Sequence, residues 1–310
     1  MQKNLTERKS DMIKVKNVVK TFGDFTALDN LTINVEKGSV YGLIGPNGAG
    51  KTTILKILAG VYKNNSGRVT IDGTDVFENM QIKERLTFIS DDLFFYSTYT
   101  IKDTAKYYAG IYKNWSWERF ESLKEIFKID VNRKVRRLSK GMQKQVAFWL
   151  SISAQPDIML LDEPVDGLDP VMRRNVWRLM LADVAERGTT VLVSSHNLRE
   201  LEDICDHVGI MHNGRVVLEK ALDDVKGNTH KLQVAFEGDV SADLIAAIKP
   251  IHREAYGSVN IFIVKGESDE IMKTVKEYSP LICDILPLTL EEVFIYELGG
   301  LGYEFENIIL

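Results

Sequence analysis

The 310-residue chain has only two cysteines, Cys205 and Cys283, and they stand far apart. That excludes a disulfide framework and fits free thiols in a reducing compartment. No apolar run approaches the roughly 20 residues needed to cross a bilayer. The opening stretch "MQKNLTERKSD" has no apolar core of the signal-peptide kind. The expected setting is therefore the cytoplasm, with any membrane part of the activity supplied by another polypeptide. Positive charge is not in excess either. A net charge of −5 speaks against nucleic acid as the main partner. No segment repeats, so the chain holds one copy of whatever unit it builds. At this length a single hydrophobic core usually divides, which predicts a main domain and a smaller one.

What the chain does have is "GPNGAGKTT" at residues 45–53, directly after the apolar run "VYGLI". Glycines open backbone turns closed to other residues. A turn that enters a helix exposes N–H groups and the positive end of the helix dipole, and both suit a phosphate. The spacing from Gly45 to Gly50, Lys51 and Thr52 fits G-x-x-x-x-G-K-[ST], the phosphate-binding loop. A Gly-rich turn kept only for packing is the competing reading at this stage.

Around this loop, "MIKVKNVV", "LTINVE" and "VYGLIG" read as strands, and a helix is expected to start near Lys51. Further strands are expected at about 68–71 and at "LTFI" (86–89). Helical periodicity covers about 101–154, with "IKDTAKYYAGIY" and "WERFESLKEIF" the clearest stretches. Strands return at "DIMLL", "TTVLVSS" and "HVGIMHNGRVVL", the last folded at Asn213–Gly214. Apolar strands separated by helices imply a buried, largely parallel sheet. Beyond "KGN" (226–228), three strands and helices near 241–248, 268–278 and 290–298 read as a small α+β domain.

Two acids, Asp162 and Glu163, follow the apolar run "IMLL". A carboxylate at a buried strand end orients the Mg²⁺ of a bound nucleotide, and a second beside it can polarise a water. Earlier, "LSKGMQKQVAFWL" places Ser139 and Gly141 at a helix start. The hydroxyl and the N–H groups there can cradle a phosphate or form an ordinary N-cap. "TTVLVSSH" ends on His196, a possible donor to a γ-phosphate or a structural histidine. Cys205, His207 and His212 crowd together, but their spacing fits no common zinc pattern and reads as packing.

In this order and at these spacings, residues 12–220 resemble the ATP-binding cassette (ABC) ATPases, specifically the nucleotide-binding subunits of transporters. The resemblance implies an α/β P-loop core with an antiparallel β subdomain and a helical signature subdomain at about 92–154. It implies an ATP- and Mg²⁺-dependent ATPase in which two cassettes close face to face over two ATP molecules. Phe22 matches the adenine-stacking aromatic, with Phe25 as second candidate and Ala27 beside the nucleotide. Gly45, Pro46, Asn47, Gly48, Ala49, Gly50, Lys51, Thr52 and Thr53 would wrap the phosphates, Lys51 on the β- and γ-phosphates and Thr52 on the metal. Asp162 would orient the metal, Glu163 would be the general base, and His196 would hold the γ-phosphate. Ser139, Lys140, Gly141 and Met142 would reach the partner subunit's ATP. That partner is a second copy or a close relative.

Two departures from the common family pattern stand out. The signature reads "LSKGM", with Lys140 and Met142 in place of a glycine and a glutamine. This resembles the drug, peptide and bacteriocin-immunity exporters with separate membrane subunits. In "FISDDLFFY", Asp91 stands where a glutamine is usual, and it too could touch the metal, directly or through water. The resemblance implies that the aromatic stretch "LFFYSTY" (93–99) receives an integral-membrane permease, holding the subunit on the inner face of the cell membrane; a hydrophobic loop packed on the helical subdomain is the competing reading. A soluble, non-transport ABC ATPase, for example of the iron–sulfur-cluster assembly type, is the alternative reading. The expected layout is a polar tail (1–11), the ATPase domain (12–227) and a small carboxy-terminal α+β domain (228–310).

Overall fold

The computed structural model describes residues 10–222, 229–238, 240–286, 288–289 and 291–292. The chain forms two compact units, Met1–Glu219 and Lys220–Leu310. In the first, strands β1 (Asp11–Phe22), β2 (Phe25–Glu36), β4 (Ser66–Ile71) and β5 (Thr74–Asp75) make a sheet in the order β2-β1-β4-β5. Its ladders are antiparallel, and β1 alternates buried residues such as Ile13 and Val15 with exposed lysines. Half-buried strands of this kind read as period-two patterns.

The second sheet takes β3 (Val40–Ile44), β6 (Leu86–Ile89), β7 (Ile158–Asp162), β8 (Thr190–Ser195), β9 (His207–His212) and β10 (Arg215–Ala221). Its order is β10-β9-β3-β8-β7-β6, and every pair from β9 to β6 is parallel. Strands β3, β7 and β8 are buried along their whole length, as strands covered on both faces must be. Asn213 (φ 48°) and Gly214 (φ 75°) turn β9 into β10, the paired positive φ of a type I′ hairpin. Helix α1 (Lys51–Leu58) sends Ile54, Leu55, Ile57 and Leu58 into one core built from both sheets.

Between β6 and β7 lies a helical region: α3 (Ile101–Ile111), α4 (Trp117–Ser122), α5 (Lys124–Phe127) and α6 (Lys140–Ser153). The short α2 (Met80–Lys83) precedes it. The stretch expected as one helix over "WERFESLKEIF" is divided at Leu123. Trp149 of α6 anchors the region. Phe120 and Phe127 stack on it at 4.7 and 5.6 Å, and its indole N–H donates to the carbonyl of Phe120 at 2.9 Å. After β7 comes α7 (Pro170–Arg187), capped by Asp169. Its buried Asp183 is paired with Arg119 of α4, and burial pushes that carboxyl above the usual range.

The second unit runs β11 (Thr229–Ala235), α8 (Ala242–Ile248), β12 (His252–Tyr256), β13 (Val259–Lys265), α9 (Ser268–Lys276) and β14 (Ile282–Leu286). The sheet order β12-β13-β11-β14 is antiparallel throughout, giving the split βαβ arrangement. Leu232, Val234, Phe262 and Val264 pack with Leu244, Ile248, Ile271 and Val275 of the helices. Strand β12, "HREAY", has no apolar alternation and was not legible in sequence; its register on β13 defines it. The helix expected at 290–298 lies outside the described residues, apart from Glu291 and Glu292.

Candidate active site

The loop that leaves β3 leads straight into α1. No side chain caps the start of that helix; its N-cap is Gly50, at φ 106°. A Cβ on Gly50 would lie 2.7 Å from the carbonyl oxygen of Ala27, so the position is closed to larger residues both by φ and by space. Around the loop is a pocket of about 260 Å³, lined by residues 46–53 together with Phe25, Ala27, Asp91 and Glu163. Lys51 is buried at its floor. The ammonium donates to the carbonyls of Gly45 (2.6 Å) and Pro46 (3.2 Å) and lies 3.4 Å from Glu163 Oε1.

Buried strands carry the two acids toward this pocket, which Glu163 lines and Asp162 does not. Asp162 ends β7; its Oδ1 accepts from Ser194 Oγ of β8 at 2.7 Å. Its Oδ2 is buried and has no hydrogen-bond partner in the protein. Glu163 takes a left-handed backbone, φ 43°, unusual outside glycine. Its N–H is held by the carbonyl and hydroxyl oxygens of Ser194 at 3.3 and 3.2 Å. Its carboxylate therefore points out of the sheet, with Oε1 toward Lys51 and Oε2 toward His196, whose Nδ1 lies 2.9 Å away and whose N–H lies 3.3 Å away. Donor atoms of Glu163, Asp166 and His196 all fall within 4.8 Å of one another.

These residues, distant in sequence, form one constellation of Lys51, Thr52, Asp91, Asp162, Glu163 and His196 near the phosphate loop. The donor set suits Mg²⁺. Thr52 and Asp91 line the pocket; Asp162 does not, but its buried Oδ2 has no hydrogen-bond partner among the described residues and remains an unused acceptor.

The signature residues stand apart. Ser139 caps α6, its Oγ accepting from Met142 N–H at 3.3 Å. Gly141 packs so closely on the turn after β7 that a Cβ would sit 2.5 Å from the carbonyl oxygen of Gly167. Lys140 lines a neighbouring cavity of about 330 Å³ with Asp91, Asp166 and Gly167. None of Ser139, Lys140, Gly141 and Met142 lines the phosphate pocket of its own chain. Phe22 does not line it either; its ring packs edge-on against Tyr62, with Lys20 above it. Phe25, opposite it in the β1–β2 hairpin, does line the pocket.

Three residues in contact with or close to Glu163 are not singled out by the sequence: Ser194, Asp166 and Lys144. Ser194 precedes the histidine in "SSH", a visible position whose role depends on the neighbouring strand β7. Lys144 stands on the face of α6 that also carries Ala147, Phe148 and Ser151, so helical spacing marks it as an inward-facing charge.

Residues 28–166 match the ABC transporter family. The chain is 33% identical over 290 residues to the ABC transporter ATP-binding protein YtrB of Bacillus subtilis, covering 93% of this chain and 99% of that protein. This chain belongs to the ABC transporter ATP-binding proteins. It is also 29% identical to the bacitracin transport ATP-binding protein BcrA of Bacillus licheniformis, over 94% and 98% of the two chains. Among solved structures, the ATP-binding subunit of an ABC transporter superposes with a TM-score of 0.65 at 27% identity, over 69% of this chain and 92% of that one. A bacterial ABC transporter cassette solved as a dimer follows at 0.60 and 25%, over 68% and 99%. The cassette is an ATPase, and no helix among the described residues is long and apolar enough to cross a membrane. The names borne by these relatives are those of transporter subunits and lend nothing to the non-transport alternative.

Proposed function

We propose that this ABC ATPase powers an exporter, docking on a separate membrane permease and hydrolysing Mg-ATP between two facing cassettes. One observation carries the chemistry: the Glu163 carboxylate is held between Lys51 and His196 at the mouth of the phosphate pocket. Lys51 would turn from the loop carbonyls to the β- and γ-phosphates. Thr52, Asp162 and Asp91 would hold Mg²⁺, which draws charge from the phosphate oxygens when bound. Glu163 would take a proton from the attacking water as the new O–P bond forms and ADP leaves. His196, released from Glu163, would hold the γ-phosphate oxygens. Adenine would stack at the end of the β1–β2 hairpin. Sequence pattern points there to Phe22, and the pocket lining favours Phe25.

The signature residues, absent from the lining of their own pocket, would complete the site of a facing subunit; the dimeric cassette similar to this chain supports that arrangement. The exporter reading rests on "LSKGM" and on the bacitracin transport relative. For the permease, the support is an exposed aromatic patch: Phe94 (79% exposed) stands beside Tyr96 and Tyr107, whose rings touch. Such a patch marks an interaction surface. It would hold the subunit at the inner face of the membrane. We place the ATPase domain at residues 12–227 and a separate domain at 228–310.

The test is Glu163→Gln. ATP binding should persist while hydrolysis falls about 10²–10⁴-fold, the usual contribution of a positioned base. Near-normal turnover would remove Glu163 from the mechanism.

A further inference from the structure

Lys144 is a buried lysine that no motif assigned above explains. A buried ammonium must be paired and hydrogen-bonded to be tolerated. Its Nζ donates to the backbone carbonyl of Glu163 at 2.6 Å and to Asp91 Oδ1 at 3.2 Å. The Glu163 peptide groups are thus pinned from both sides, the N–H by Ser194 and the carbonyl by Lys144. This is the residue with φ 43°, a backbone that persists only where its surroundings hold it. Asp91, the other partner, lines both the phosphate pocket and the cavity beside Lys140. One side chain of α6 therefore joins the signature helix to the backbone of the base and to the acid that departs from the family pattern.

We propose that Lys144 is a positioning residue for ATP hydrolysis. It acts through the carbonyl of Glu163, holding the left-handed turn that aims the carboxylate between Lys51 and His196. Asp91, 3.2 Å away, is its counter-ion and helps direct the ammonium at that carbonyl. This inference rests on the reading of Glu163 as base. Loss of the anchor is expected to affect kcat and not nucleotide affinity, because the phosphate loop has no bond to Lys144 among its described contacts.

The experiment uses the full-length chain, with steady-state hydrolysis and separate titration by a non-hydrolysable ATP analogue. Lys144→Met, close in shape but without donor or charge, should lower kcat on the order of 10²-fold, the scale of an ångström-sized misplacement. Analogue affinity should stay within about twofold, since the phosphate-binding groups are untouched. Lys144→Gln, which keeps an N–H for the carbonyl, should recover part of kcat. A thermal unfolding scan checks that each variant is folded, and Lys144→Gln carries the test if Lys144→Met is not. Wild-type kcat in the folded Lys144 variants would overturn the proposal, as would equal losses of kcat and analogue affinity. Glu163→Gln is run in parallel. If it turns over normally, the base reading has failed; if it is inactive while the Lys144 variants are unimpaired, only the present inference has.

Discussion

Two helix starts in this protein have the residue types of a phosphate site; they look alike in sequence and differ in physics. Both "GAGKTT" before α1 and "LSKGM" before α6 offer small residues, a hydroxyl and a lysine at the positive end of a helix. At α1 the cap is a glycine in the left-handed region with no side chain on the N–H groups, and a buried lysine folds back onto the loop. At α6 the cap is a serine in extended geometry whose own oxygen already satisfies Met142 N–H. The first start leaves its donors to a ligand and has a pocket around it. The second has its Met142 N–H met within the chain and lines no part of that pocket. A glycine-and-lysine pattern alone does not separate a helix start that serves its own chain's pocket from one that does not; the cap residue and the pocket lining do.

Variants at the two starts should therefore fail differently. The largest effect is expected from Lys51→Ala. Losing charge-assisted hydrogen bonds worth roughly 1.5–3 kcal/mol should weaken Mg-ATP binding about 10–100-fold in a titration at fixed salt. Unchanged affinity would reduce the loop to a structural turn. Next comes the aromatic that closes the α1 pocket. Phe25→Ala should cost about 1–3 kcal/mol of ATP affinity, the range of base–aromatic stacking, and Phe22→Ala distinctly less. The reverse order would return the stacking role to Phe22. The smallest effect belongs to Ser139→Ala, which removes an N-cap worth about 1 kcal/mol of stability and should leave ATP affinity untouched while slowing hydrolysis. Lowered affinity in the isolated chain would erase the distinction between the two starts.

The fold was legible where side chains repeat. Short apolar runs such as "VYGLI" and "IMLL", bounded by turn residues, fit strands buried on both faces, and they lie where expected, in one parallel sheet. Strand β12 was not legible, because His252, Arg253 and Glu254 show no apolar alternation. Helix α7 is charged on nearly every turn, in "VMRRNVWRLMLADVAER", so no apolar stripe announces it. The phosphate loop could be read because its backbone geometry demands particular residue types in fixed order. The fixing of Asp162 and Glu163 by Ser194, and of the Glu163 carbonyl by Lys144, could not, since each bond joins residues 19 to 32 positions apart. Phe22 and Phe25 differ by three positions and face each other across the hairpin, and only the pocket lining shows which one meets the pocket.

The most direct test of a site shared between two chains is the dependence of hydrolysis on subunit concentration. At saturating Mg-ATP, turnover per chain should fall on dilution in step with the dimer fraction measured by light scattering. ATP affinity per chain should not change, because the α1 pocket is complete within one molecule. A chain that is monomeric by light scattering and still hydrolyses ATP at an undiminished rate would contradict the account.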